Sequence, residues 1–230
     1  MALLNRLNGF PLLKLGLAIF ALSLASVGLQ AADDEEQLLS PERVGAIHHG
    51  SSLEELQRIF GAERVRDHLV QVGEGFVCRG TRIDFPGGDS LEITWRDEAA
   101  RRGPDTIAVL GDRWATPEGL RLGSTLQELE AMNGAPFNLS GFGWDYGGTV
   151  GTWNDGALTY LAASGPPRLI IRLSPARAAY DRITGDQRAA VTGDGAYVSS
   201  AHTDMQTLTP QISQIIADFA AGDCAAFFPE

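Results

Sequence analysis

The sequence predicts an α+β protein: two tandem repeats of a helix followed by an antiparallel β-meander, joined in one layered domain. Three observations carry that expectation. The phrase Gly50-Ser51-Ser52-Leu53-x-Glu55-Leu56, closed by Gly61-Ala62, returns as Gly123-Ser124-Thr125-Leu126-x-Glu128-Leu129, closed by Gly134-Ala135. Each copy is followed by a second matching phrase, Gly73-x-Gly75-Phe76 to Gly80-Thr81 and Phe85, then Gly141-x-Gly143-Trp144 to Gly148-Thr149 and Trp153. Within each copy the apolar period also changes, from three- and four-residue steps to β-rich runs broken by glycine.

Residues 1–31 form a signal peptide. Arg6 and Lys14 are the only charges before Asp33, and the apolar run 15–24 is shorter than the roughly 20 residues a bilayer span needs. Small residues permit cleavage after Ala25, Gly28 or Ala31, so the cut falls within 25–31. No cysteine for lipid attachment lies there, and no later segment has the character of a stable membrane span. Residues 32–43 open on Asp33-Asp34-Glu35-Glu36 and are expected as a disordered acidic leader.

The first helix-plus-sheet module is assigned to 44–115. Ser52 and Glu55 have capping-box spacing, Leu53, Leu56, Ile59 and Phe60 make one stripe, and Gly61 stops the helix. Runs 68–72, 76–85 and 91–95 are predicted strands, with Pro86-Gly87-Gly88-Asp89 as the turn between the last two. Residues 101–105 are expected as a loop and 106–110 as a strand. The second module, 116–173, repeats the design. Thr125 and Glu128 form its box, Leu126, Leu129 and Met132 its stripe, and Asn133-Gly134 its stop before Pro136. Runs 142–153 and 157–162 then flank a hairpin turn at Asn154-Asp155-Gly156, and 168–173 adds a strand. A C-terminal extension, 174–230, completes the sheet, with a short helix near 176–183, a closing strand at 196–200, and 212–219 as a strand or a short helix.

Composition narrows the function. The chain has 230 residues, 18 basic and 29 acidic, and a net charge of −11. Processing removes Arg6 and Lys14 and leaves 16 basic residues against 29, or −13. Such a surface disfavours nucleic acid and anionic lipid. Cys78 and Cys224 are the only cysteines, and in an oxidising compartment they are expected to form one disulfide. Cys78 aligns with Tyr146 of the second copy, so the module itself does not require it.

The residues that bear on chemistry are few. Phe142-Gly143-Trp144-Asp145-Tyr146 reads as a strand that puts Phe142, Trp144 and Tyr146 on one face. Packing against the helix is the plainer use of those rings. The functional use is a binding surface of Trp144, Asp145, Tyr146 and Trp153 for a sugar, peptide or protein side chain. A phosphate loop is excluded, because Tyr146 stands where the third glycine belongs and no capped helix follows. His48-His49, His68 and His202 complete no zinc spacing, and neither metal nor cofactor is implied. His202 and Asp204 can be combined with serines on paper, but no Gly-x-Ser-x-Gly elbow accompanies them, so no catalytic residue is assigned. Arg79, Arg82, Arg168 and Arg172 are expected to pair with carboxylates on solvated sheet faces.

Ile47-x-x-Gly50-Ser51-Ser52-x-x-Glu55-Leu56 through Gly61, with Leu122-Gly123-Ser124-Thr125 through Gly134-Ala135-Pro136, resembles the opening of small exported modules of the β-lactamase-inhibitor-like and BamE (SmpA) group. Ser51 and Ser124 stand where that group has methionine. The resemblance implies a noncatalytic protein-binding or envelope-scaffold role in a Gram-negative periplasm. The expectation is therefore an exported, periplasmic or secreted binding module with a protein partner in the cell envelope. An envelope-polymer hydrolase, or a glycan or small-ligand binder using the aromatic strand face, is the alternative. Oligomeric state stays open.

Overall fold

A row of six apolar residues runs straight across the main sheet: Val65, Ile83, Leu91, Val109, Ile215 and Ile171 stand opposite one another in sequence of strands, and all are buried. The neighbouring row, Arg66, Arg82, Glu92, Ala108, Ile216 and Ile170, points to the other face. Period-two alternation thus separates an apolar face that builds the core from a mixed face that is left open. This arrangement belongs to a computed structural model that describes residues 37–162, 164–220 and 224. The expected signal peptide, 1–31, and the first part of the leader lie outside the described residues.

The sheet is formed by β4 (Val65–Gly73), β5 (Phe76–Asp84), β6 (Ser90–Asp97), β7 (Arg102–Leu110), β10 (Arg168–Ser174) and β12 (Gln211–Asp218), in the order β10-β12-β7-β6-β5-β4 and antiparallel throughout. β4 to β7 are the predicted meander. The turn Pro86-Gly87-Gly88-Asp89 closes with the Phe85 amide donating to the Asp89 carbonyl at 2.9 Å. β12 does not extend an edge. It sits between β7 and β10 and so joins the two halves of the chain.

Two small sheets flank this one. β1 (Leu39–Ser40), β2 (Arg43–Val44) and β3 (Ile47–His48) form the first; β11 (Tyr197–Ser199), β8 (Asn138–Ser140) and β9 (Val150–Thr152) form the second. The first corrects the disordered-leader expectation from residue 37 onward. Leu39 is fully buried in the core, and its amide donates to the Ala115 carbonyl. Apolar Leu38 and Leu39 outweigh the acidic run before them, because burying even one leucine is worth about 2 kcal/mol.

The two repeated helices, α1 (Leu53–Phe60) and α2 (Leu126–Asn133), stand where the phrases place them. Thr125 and Glu128 make the full reciprocal box. Ser52 only accepts from the Glu55 amide. Leu56, Leu126 and Leu129 are fully buried in the core, whereas Ile59 is exposed, so the first stripe is narrower than expected. Three shorter helices follow: α3 (Arg177–Tyr180), α4 (Gly185–Val191) and α5 (Thr203–Leu208). The last two had no clear sequence signal. Among the described residues no helix is long and apolar enough to cross a membrane. The chain is a mixed α+β protein with antiparallel sheets.

The second copy departs from the meander design. Residues 157–161, expected as a strand, form a 3-10 helix (Ala157–Leu161), although Asn154 and Asp155 do take the positive φ of a tight turn. The expected strand 142–153 shrinks to β9. Residues 101–105 go the other way, since β7 begins at Arg102 rather than after a loop.

Cys78 and Cys224 form the expected disulfide, with Cα atoms 6.0 Å apart. It ties a cysteine six positions beyond β12 to β5, three strands away in the sheet. Closing a loop of 146 residues contributes on the order of 5 kcal/mol in the chain-entropy account.

Candidate functional site

The open face of the sheet curves into a cleft of about 1350 Å³. Its floor comes from alternate residues of three neighbouring strands: Thr106 and Ala108 of β7, Gln214 and Ile216 of β12, and Arg168, Ile170 and Arg172 of β10. One wall is the end of β4 and its turn, Val70 to Gly75. The other is the 144–151 segment with Tyr197 of β11.

The two walls approach each other at Tyr146. A Cβ placed on Gly73, whose φ is +114°, would lie 3.3 Å from the Tyr146 hydroxyl. Gly73 is therefore set both by its backbone angle and by this contact. Trp144 stands edge-on to Tyr146, with ring centroids 5.6 Å apart, and its indole N–H donates to the Gly141 carbonyl at 2.8 Å. Tyr197 is 65% exposed and lies on Gly151, where a side chain would collide with the ring.

Arg172 is the central polar group. Its Nε donates to Thr149 Oγ1 at 3.2 Å and its Nη1 to the Asp145 carbonyl at 2.9 Å. Its guanidinium carbon lies 5.5 Å from the centre of the Tyr146 ring. Burial pushes this guanidinium below its usual range, and the nearby Tyr146 and Asp145 only partly oppose that. Among the described residues no carboxylate oxygen comes within 4.0 Å of it. Its neighbour Arg168 behaves differently and pairs with Asp218 at 2.8 Å.

Farther across this face a group of charges is paired. Arg82 bridges Asp84 and Glu92, at 2.8 and 2.7 Å, and Arg66 holds the other oxygen of Asp84 at 2.8 Å. The hydrogen bonds from Arg66 and then Arg82 keep the Asp84 carboxyl below its ordinary 3.8. His68 Nε2 meets Glu92 at 3.0 Å. The expected ion pairs are thus present for Arg82 and Arg168, and Arg172 has none among the described residues.

Of the residues singled out in the sequence, Trp144, Asp145 and Tyr146 converge on the cleft, and Trp153 does not. Trp153 is 2% exposed and stacks at a tilt on Phe137, 4.9 Å away, so it belongs to the core. Its strand reading failed for a tertiary reason. The Phe142 amide donates to Val191, its carbonyl accepts from Gly193, and Gly141 donates to Ala196. The C-terminal extension thereby takes the backbone groups of Gly141 and Phe142, the hairpin pairing of β8 with β9 stays short, and Phe142 is buried rather than sharing a face with Trp144. Arg172 and Tyr197 are the cleft residues that sequence reasoning missed as site residues. The spacing of Arg168, Ile170 and Arg172 places them on one face, but nothing in the sequence says which arginine lacks a carboxylate.

The histidines have structural uses. His202 Nδ1 accepts from the Asp204 amide and caps α5, and His48 Nδ1 accepts from the Gly50 amide. Among the described residues no three histidine, cysteine or carboxylate side chains are gathered as metal ligands.

No protein-family model matches this chain, and no curated protein matches it. Among solved structures, that of the uncharacterized protein yfeY from Escherichia coli is similar over 78% of this chain and 98% of that one, with 16% identity and a TM-score of 0.40.

Proposed function

We propose that the mature chain is an exported, periplasmic or secreted, noncatalytic binding module whose cleft holds a segment of an envelope protein partner. The observation that carries this reading is the half-buried Arg172 beside the exposed ring of Tyr146, with the exposed ring of Tyr197 lining the same cleft. A cleft of about 1350 Å³ exceeds the roughly 300–1,000 Å³ of a drug-sized ligand site and suits an extended segment. Exposed rings beside a guanidinium are the side chains that anchor protein partners. Export is supported by the Cys78–Cys224 disulfide, which an oxidising compartment sustains. The resemblance of the two helix-opening phrases to the β-lactamase-inhibitor-like and BamE (SmpA) modules points the same way.

The test is affinity capture from native envelopes with the oxidised mature protein, beside a variant carrying Tyr146→Ala and Tyr197→Ala. A partner protein should be retained by the parent and lost by the variant, while both show the same thermal unfolding midpoint within a few degrees. Equal capture by both proteins, or retention of a glycan with no protein, overturns the reading.

A further inference from the structure

β10 and β9 each end their own sheet, and a single bridge, Thr149 to Arg172, connects them. Beside it the Leu173 amide donates to the Gly148 carbonyl at 2.9 Å. Beyond this junction no further bridge joins the two strands among the described residues. Among the described residues no ladder continues along the outer edge of β10 toward Arg168, or along β9 at Gly151 and Thr152. Both edges line the cleft, and Ala162 and Ser164 of the connecting segment close its end. An open strand edge presents a row of backbone donors and acceptors, which an extended peptide satisfies by adding a strand.

Arg172 stands at this junction and lines the cleft. A guanidinium has five N–H donors, and the neutral Thr149 hydroxyl and Asp145 carbonyl engage two of them. The rest are oriented by those contacts and by the Tyr146 ring, which is the preorganised geometry that favours a carboxylate over a neutral acceptor. The chain as a whole carries −11, so a strongly acidic partner is repelled at long range. The complementary ligand has one acid in a neutral or basic setting.

We propose that the cleft takes an extended peptide segment, neutral or basic except for one acidic side chain, paired along β10 with its carboxylate on Arg172. This rests on the protein-binding reading and specifies the chemistry of the partner. The test uses the oxidised mature protein on an array of random 12-residue peptides, followed by titration of the best peptide and its Glu→Gln or Asp→Asn counterpart. Selected peptides should share one acidic position. The amide counterpart should bind about tenfold to a hundredfold more weakly, as a charge-assisted hydrogen bond implies. In Arg172→Met that discrimination should vanish, and in Thr149→Val, which keeps the guanidinium but removes an acceptor that holds it, it should shrink.

Discrimination that persists in Arg172→Met overturns the proposal. So does an array without an acidic preference, an array that binds nothing, tighter binding of a uronic-acid oligosaccharide than of any peptide, or peptide binding that appears only after residues 225–230 are deleted. The two readings fail separately. If the envelope partner is lost with Tyr146→Ala and Tyr197→Ala but held undiminished by Arg172→Met, the carboxylate site is wrong and the binding module stands. If no envelope protein is captured, the module reading itself falls.

Discussion

The segments that follow the two repeated helices start from matching sequence and reach different structures. After α1, two nine-residue strands meet at the turn Gly73-Glu74-Gly75. After α2, two three-residue strands flank an open segment at 141–149 that carries Trp144, Asp145 and Tyr146 into the cleft. Matching glycines are therefore not what decides a hairpin. In the first copy the backbone groups on both sides of the turn find each other. In the second, β8 and β9 pair only briefly, Phe142 and Gly141 bond to residues 191–196 instead, and the chain between the two short strands forms a wall.

The local anchor of each copy nevertheless corresponds. Phe60 ends α1 and meets Phe85 at 5.4 Å between ring centroids; Asn133 ends α2 and donates to the Trp153 carbonyl at 2.9 Å. These are matching positions of the two phrases, filled by rings in one copy and by an amide and an indole in the other. Trp153 is buried, while Phe85 is half-buried against Trp114. Replacing each aromatic with alanine compares the two rings, since the backbone carbonyl that Asn133 uses is kept by alanine at 153. Trp153→Ala should cost about 3–5 kcal/mol by urea unfolding, and Phe85→Ala less than that. Equal losses would mean that the two anchors bear the same load despite their different burial.

The caps give a smaller contrast. Thr125→Ala removes one side of a closed reciprocal pair and should cost about 1–2 kcal/mol, whereas Ser52→Ala removes a single 3.3 Å hydrogen bond and should cost about 0.5–1 kcal/mol. A larger loss at Ser52 would show that α1 leans on its cap because Leu56 is its one fully buried residue.

The smallest effect belongs to charge. Asp84, bound by Arg66 and Arg82, ends β5 where the second copy has Thr152. Its carboxyl is held below its ordinary 3.8, so its contribution is complete above about pH 4 and is lost as pH falls through the lower, folded value. Asp84→Asn should destabilise by less than about 1 kcal/mol at pH 7, because the pair is half exposed, and the two proteins should converge in acid. A stability gap that widens below pH 4 would contradict this assignment.

The two helices, their stops, the Pro86–Asp89 turn and the strand at 168–173 were legible because each rests on a local rule: a cap, a glycine, an apolar alternation; 212–219 read equally as strand or short helix, and only its place between β7 and β10 decides it. The fate of 142–153 was not legible, because its backbone partners come from residues some fifty positions later. The leader was misjudged from 37 onward because Leu38 and Leu39 are short on length and long on burial. Of the cleft, Trp144, Asp145 and Tyr146 were visible as an unusual local sequence. Arg172 and Tyr197 join them only through tertiary structure, and Trp153 has the same composition signal with the opposite burial.

The position of β12 carries a consequence for biogenesis. A polypeptide made from its amino end delivers β7 long before the strand that must lie beside it. Until residues 211–218 emerge, that flank of the meander is bare and β10 has no neighbour on its inner side. Completion of the sheet thus waits on the end of the chain: the strand that joins β7 to β10 is the last one made, and the cysteine just behind it is bridged to β5.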